Sequence, residues 1–112
     1  MLDRTCLVFF TDSYQNRGMT NIHRVHRRVE FHDTDAAGIM HFASFFVLME
    51  QAEHEFLRHV GLSVYIKEGE ESFSWPRVAV RCEYLAVARF EDELDVDVSI
   101  LRLGTKSITY RF

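Results

Sequence analysis

From Val25 onward, apolar positions alternate with charged ones. Val25, Val29 and Phe31 fall on one side, and His26, Arg28 and Glu30 on the other; Arg27 alone interrupts the apolar side. A period of two is the mark of a half-buried strand. A polar loop follows from His32 to His41, with Gly38 supplying backbone freedom. Near Phe42 the period changes. Phe45, Met49, Ala52, Phe56 and Val60 recur at spacings of four, three, four and four, and Leu48 and Leu57 widen the stripe. That pattern predicts one long amphipathic helix. Ser44 is one candidate N-cap, with a helix that already includes Phe42 or Ala43 as the alternative. Arg58 and His59 suit the negative helix end, and Gly61 suits the position after it.

Lys67-Glu68-Gly69-Glu70-Glu71-Ser72 reads as a solvated loop. After Pro76 the period returns to two. Val78, Val80, Cys82 and Tyr84 form one alternating set; Leu94, Val96, Val98 and Ile100 form a second. Ile108, Tyr110 and Phe112 form a third, beyond a Gly104-Thr105 turn. The predicted order is strand, loop, helix and three strands with short, antiparallel connections. The helix can bury its stripe only against one sheet face, so the expected class is α+β, a sheet wrapped on a single long helix.

Composition sets the bounds. The 112 residues are 47% hydrophobic and 27% charged, with five Gly and one Pro. This suits one globular domain and excludes linker-like or collagen-like chains. The net charge of -4 argues against a nucleic-acid partner, which calls for a basic excess. The basic run Ile22–Arg28 is short and interleaved with apolar residues, as in a strand with a charged face. No apolar run reaches the ~20 residues of a membrane span or the ~7–15 of a signal-peptide core. The chain therefore reads as cytoplasmic. Cys6 and Cys82 fit no metal or redox spacing.

Residues 1–21 differ from the rest. Asp12, Ser13, Gln15, Asn16, Arg17 and Gly18 are polar, with Met19 directly after. They read as an N-terminal tail, and residues 22–112 as the folded domain.

The densest polar cluster is His32, Asp33, Asp35 and His41, in the loop that feeds the helix. A helix N-terminus offers unpaired N–H groups and a positive dipole end, which suit an anion or a developing oxyanion. A nearby carboxylate can act on a polarised carbonyl as base or nucleophile. Loop aspartates also serve as turn and cap residues, and nothing in the spacing matches a metal site.

The stretch Val29-Glu30-Phe31-His32-Asp33-Thr34-Asp35-Ala36-Ala37-Gly38-Ile39-Met40-His41-Phe42-Ala43-Ser44-Phe45-Phe46 resembles the start of the 4-hydroxybenzoyl-CoA thioesterase family. The shared features are Asp-x-Asp-x-x-Gly, an apolar pair, an aromatic or His, and an aromatic-rich helix start. The resemblance covers most of the chain after about Arg24. It implies the hotdog fold, an antiparallel sheet around one long helix, and an acyl-CoA substrate hydrolysed without metal or cofactor. Asp35 matches the family's catalytic carboxylate, attacking the thioester carbonyl or activating water. Amides around His41 and Phe42 would hold the carbonyl oxygen, and Gly38 would allow close approach. His41 would position water or line the pocket. Phe45, with Phe42, Phe46 and Met49, would line an apolar pocket or serve as core. Lys106 lies in a segment resembling the family's CoA-contacting strand, with Arg102 close by; Arg77 and Arg81 are alternative cations. Asp33 is expected to shape the turn. Glu50 would orient groups in the site or remain solvated.

The resemblance further implies a homodimer or homotetramer with sites between subunits. The chain stops at Phe112 inside an alternating strand, where hotdog domains continue, so the expected sheet is shortened or lacks its last strand. Three rival readings stand beside it: a hotdog hydratase or dehydratase using His41 and Glu50, a module that binds an acyl thioester without cleaving it, and, weakest, a metal site from His32, Asp33, Asp35 and His41.

Overall fold

The computed structural model describes residues 6–9 and 23–112. Its elements are β1 (Cys6–Phe9), β2 (His23–Arg28), a 3-10 turn (Phe31–Asp33), α1 (Phe42–His59), β3 (Tyr65–Glu68), β4 (Glu71–Ser74), β5 (Ala79–Val80), β6 (Glu93–Leu103) and β7 (Ile108–Arg111). One five-stranded sheet runs β2-β6-β7-β1-β5, and β3 and β4 form a separate hairpin. The pairs β2–β6 and β6–β7 are antiparallel, whereas β1 runs parallel to β7 and β5. Apart from Cys6–Phe9, the stretch read as a tail lies outside the described residues.

The helix lies on β6 and β2. Leu48, Met49, Ala52 and Leu57 are buried on its inner face. Leu48, Met49 and Ala52 meet Val25 and Val29, Val96 and Val98, and Ile108, Tyr110 and Phe112 in one core. Burying these side chains contributes on the order of 1.5–3 kcal/mol for each large one. A helix with such a stripe on a strand-rich sheet is the expected α+β hotdog architecture.

The helix ends differ in how far the sequence foretold them. At the C-terminus, Gly61 (φ 80°) follows the cap residue Val60. The Gly61 amide donates to the Arg58 carbonyl and the Leu62 amide to the Leu57 carbonyl, closing a Schellman motif. At the N-terminus the cap is His41, not Ser44: the His41 Nδ1 accepts from the Ala43 amide at 3.1 Å. Ser44 is already inside the first turn and donates its amide to the His41 carbonyl.

Four other expectations are corrected. Phe31 does not continue the buried face of β2 but is 75% exposed, because the chain turns at Glu30–Asp33. Lys67–Ser72 is the tip of the β3–β4 hairpin. The alternation from Val78 to Tyr84 yields only the two-residue β5, and Val78, Val80 and Tyr84 are exposed. Ile100 is exposed beside a bulge, where Leu101 is the extra residue between the pairs Ile100–Tyr110 and Arg102–Thr109.

Candidate active site

The loop between β2 and α1 is built on local hydrogen bonds. The Glu30 amide donates to Asp33 Oδ2 at 2.9 Å, and the Asp33 amide to the Glu30 carbonyl at 3.0 Å. Asp33 is buried, with His32 Nε2 3.4 Å from its Oδ1. Its carbonyl accepts the His41 amide at 2.7 Å, which brings the start of the helix back to the start of the loop. Asp33 therefore shapes the turn, as its position before a helix suggested.

Asp35 occupies the bend that this frame projects outward. Its amide donates to the Ile39 carbonyl at 2.9 Å, and its carbonyl accepts the Gly38 amide at 3.0 Å. Gly38 has φ 76°, a left-handed conformation that glycine adopts without steric cost, and a Cβ there would meet nothing. Asp35 Oδ1 accepts the Ala37 amide at 2.8 Å. One carboxylate oxygen is thus pinned, while Oδ2 has no partner among the described residues.

The amides at the helix start are nearly all engaged. That of His41 goes to Asp33, that of Ala43 to the His41 ring, and that of Ser44 to the His41 carbonyl. The Phe42 amide is left without a protein partner among the described residues, at the positive end of the helix dipole. Sequence reasoning pointed to amides at both His41 and Phe42; the geometry leaves only the second. The Phe42 ring is 63% exposed and stacks on the His41 ring at 4.5 Å.

Asp35, Gly38 and Phe31 line an open cleft of about 470 Å³ with Thr34, Ala36 and Phe90. Phe90 is contributed by a turn before β6. That turn is tied to the Asp35 loop, since the Met40 amide donates to the Ala88 carbonyl at 2.7 Å. Phe31 and Phe90 went unnoticed in the sequence. Phe31 looked like a core position, and Phe90 lies 55 residues from Asp35 with no local pattern to mark it.

The remaining candidates separate. Phe45 and Phe46 are half-buried against the core and Met49 is buried in it, so this trio packs the protein interior. Phe45 meets the Tyr84 ring edge-on at 5.3 Å. Glu50 is exposed and nine residues beyond His41. At ~100° per residue that is half a turn away around the helix, and ~13 Å along it. His41 and Glu50 therefore do not converge, which disfavours the hydratase arrangement. No three of the described His, Cys, Asp or Glu residues converge as a metal site. Arg77 pairs with the buried Glu53 and Arg81 with Glu83, so both alternative cations are engaged elsewhere.

Arg102 and Lys106 are exposed at the β6–β7 end. The Asp35 loop begins at the other end of β6, where Arg28 pairs with Glu93. β6 has eleven residues. At ~3.4 Å per residue it separates the two ends by roughly 35 Å. Within one chain these cations do not meet Asp35.

Residues 29–112 match the model of the thioesterase-like superfamily. A putative esterase of Aquifex aeolicus (strain VF5) is 31% identical over 86 residues, covering 77% of this chain and 66% of that protein. The acyl-CoA thioester hydrolase YbgC of Escherichia coli O6:H1 is 33% identical over 92 residues, covering 81% of this chain and 67% of its own length. A protein of the same name from Shigella flexneri matches equally. The chain spans about two thirds of the length of these relatives. No described helix is long and apolar enough to cross a membrane.

Proposed function

Because the chain belongs to the thioesterase-like superfamily, we propose that it hydrolyses an acyl-CoA thioester to a free acid and CoA. The observation that carries this reading is Asp35: one oxygen is held by the Ala37 amide and the other has no partner among the described residues, in a cleft on the loop that leads into a helix start with one unpartnered amide. The Phe42 amide receives the thioester oxygen as charge develops on it. Asp35 Oδ2 either attacks the carbonyl carbon or takes a proton from the attacking water. The C–S bond breaks, and the CoA thiolate leaves and takes up a proton. Water supplies the second oxygen of the acid. His41 has its Nδ1 committed to the helix cap, so its role is to hold the first turn in place and not to shuttle protons.

The distance between Asp35 and the cations Arg102 and Lys106 supports an assembly of two copies. The CoA phosphates bound at one Asp35 would be met by the Arg102 and Lys106 of a second copy. Exposed apolar residues around the helix start and β5, among them Phe42, Val47, Val78, Val80 and Leu85, fit burial in such an assembly.

The deciding experiment is mass-detected CoA release from a panel of acyl-CoAs, for wild type and Asp35→Asn. Asn keeps the bond from the Ala37 amide but can neither attack nor accept the proton. Loss of at least about 100-fold in kcat is expected. Full turnover by the variant overturns the assignment. Tight acyl-CoA binding by wild type with no release would favour a binding module instead.

A further inference from the structure

We propose that Phe31 and Phe90 are the seat of the acyl group and select uncharged, apolar acyl chains over those ending in a charge. The inference rests on the thioester reading of Asp35 and adds to it the residues that meet the acyl group and the chemistry they accept.

Two phenyl rings stand in solvent on the wall of the cleft that holds Asp35. Phe31 is 75% exposed and Phe90 48% exposed. Their centroids are 5.9 Å apart at an interplanar angle of 90°, the edge-to-face geometry favoured by aromatic pairs. Neither ring contributes to the core. Each is instead held outward by its backbone. Thr34 clamps Phe31, with both its amide and its hydroxyl donating to the Phe31 carbonyl, at 3.1 and 2.6 Å. Phe90 sits in the turn Arg89–Asp92, closed by the Asp92 amide on the Arg89 carbonyl and the Arg89 amide on Asp92 Oδ2. The next residue, Glu91, has φ 71°. Non-glycine residues rarely adopt that conformation, and it persists where the surrounding structure enforces it. A strained turn that presents a phenyl ring to water, beside a free carboxylate, fits a ligand wall better than a folding requirement.

The lining also states what the seat refuses. Among the described residues no Lys, Arg or His lines the cleft, and the one ionisable group in the lining is Asp35. The Thr34 hydroxyl proton is already given to Phe31, so no side-chain donor is left for a polar tail. A terminal carboxylate would face Asp35 without a counter-charge. An alkyl or aryl chain would cover two exposed rings.

The test separates seat from chemistry by measuring binding on the Asp35→Asn protein, with CoA, hexanoyl-CoA and succinyl-CoA in calorimetry. Hexanoyl-CoA is expected to bind at least tenfold tighter than CoA, and succinyl-CoA no tighter than CoA. Adding Phe31→Ala or Phe90→Ala should reduce the hexanoyl advantage at least fivefold while leaving CoA binding within twofold. Both side chains are exposed, so the variants should melt close to their parent. Phe31→Lys provides a gain-of-function arm, raising succinyl-CoA affinity at least fivefold over CoA. A hexanoyl advantage that is absent, or that survives both alanine variants, overturns the seat. Failure of the wild-type chain to hydrolyse any acyl-CoA, with the binding pattern intact, removes the hydrolytic reading and leaves the seat standing.

Discussion

The Tyr84 hydroxyl donates to the Phe42 carbonyl at 2.9 Å, across 42 residues of chain. Although the residue is about half exposed, partial desolvation raises the pKa of the Tyr84 phenol and a hydrogen bond with Cys82 adds to the shift, so Tyr84 stays a donor at neutral pH. It ties the segment before β6 to the helical residue whose amide is open. Tyr84→Phe keeps the ring against Phe45 and loses only this bond. The expected result is a fall of about fivefold in kcat with KM within twofold, the equivalent of ~1 kcal/mol. An unchanged kcat would mean that the helix start is held without Tyr84.

Glu53 is 1% exposed in the middle of α1, and its charge is met by Arg77. Removing the cation strands a buried carboxylate. Arg77→Ala should therefore cost ~3–5 kcal/mol. Glu53→Leu should cost less, because Arg77 is partly exposed and can reach water. Urea midpoints of the two variants check the order.

On the outer face of the sheet, His26 lies 2.8 Å from both Asp95 and Glu93. The hydrogen bond to Asp95 is the main cause that raises the His26 pKa, with Glu93 adding to it. Asp95 is held low chiefly by His26, and Glu93 chiefly by Arg28. A raised histidine stabilises the fold fully below its unfolded pKa of ~6.5, and the gain is lost as pH rises through the folded value. The lowered carboxylates contribute above their unfolded pKa values, and that contribution is lost as pH falls through the folded ones. Melting temperatures of wild type and His26→Gln should differ most near pH 5.5 and converge by pH 9. A gap that widened with pH would contradict the pairing.

If the CoA phosphates are held by a second copy, two inactive variants should complement. Asp35→Asn and Lys106→Glu, each inactive or weak alone, would form hybrid dimers in which one site holds an intact Asp35 and the other chain's Lys106. Mixing and re-annealing equal amounts should recover about a quarter of wild-type turnover: half the dimers are hybrid, with one of two sites intact. No recovery, from a protein of dimeric mass, would place Asp35 and Lys106 in the same or in unrelated sites.

Elements set by neighbours in sequence were legible before the structure. The α1 stripe, the Gly61 stop and the Asp-x-Asp-x-x-Gly bend depend on contacts within a few residues, and each left a local pattern. The rest depended on partners far along the chain. The alternation at Val78–Tyr84 is that of a strand, yet among the described residues only Ala79–Val80 finds a pairing partner. The Glu53–Arg77 pair left no local pattern, because 24 residues separate its members. His41 displaced Ser44 as cap because an imidazole nitrogen can accept an amide proton as a hydroxyl does, a use that residue preferences rank low. Phe90 belongs to the site through long-range backbone bonds such as that from the Met40 amide to the Ala88 carbonyl.

That bond is one of three that join the two sides of the cleft. The Val29 amide donates to the Asp92 carbonyl and the Glu91 amide to the Val29 carbonyl, alongside the Met40 amide on Ala88. Three crosslinks over so short a span make the carboxylate loop and the aromatic turn a single cooperative unit. In hydrogen exchange, the amides of Val29, Met40 and Glu91 would open together at one common free energy. The reacting oxygen and the wall facing the acyl chain would then keep their spacing in every conformation the closed unit visits, and a substrate would meet both or neither.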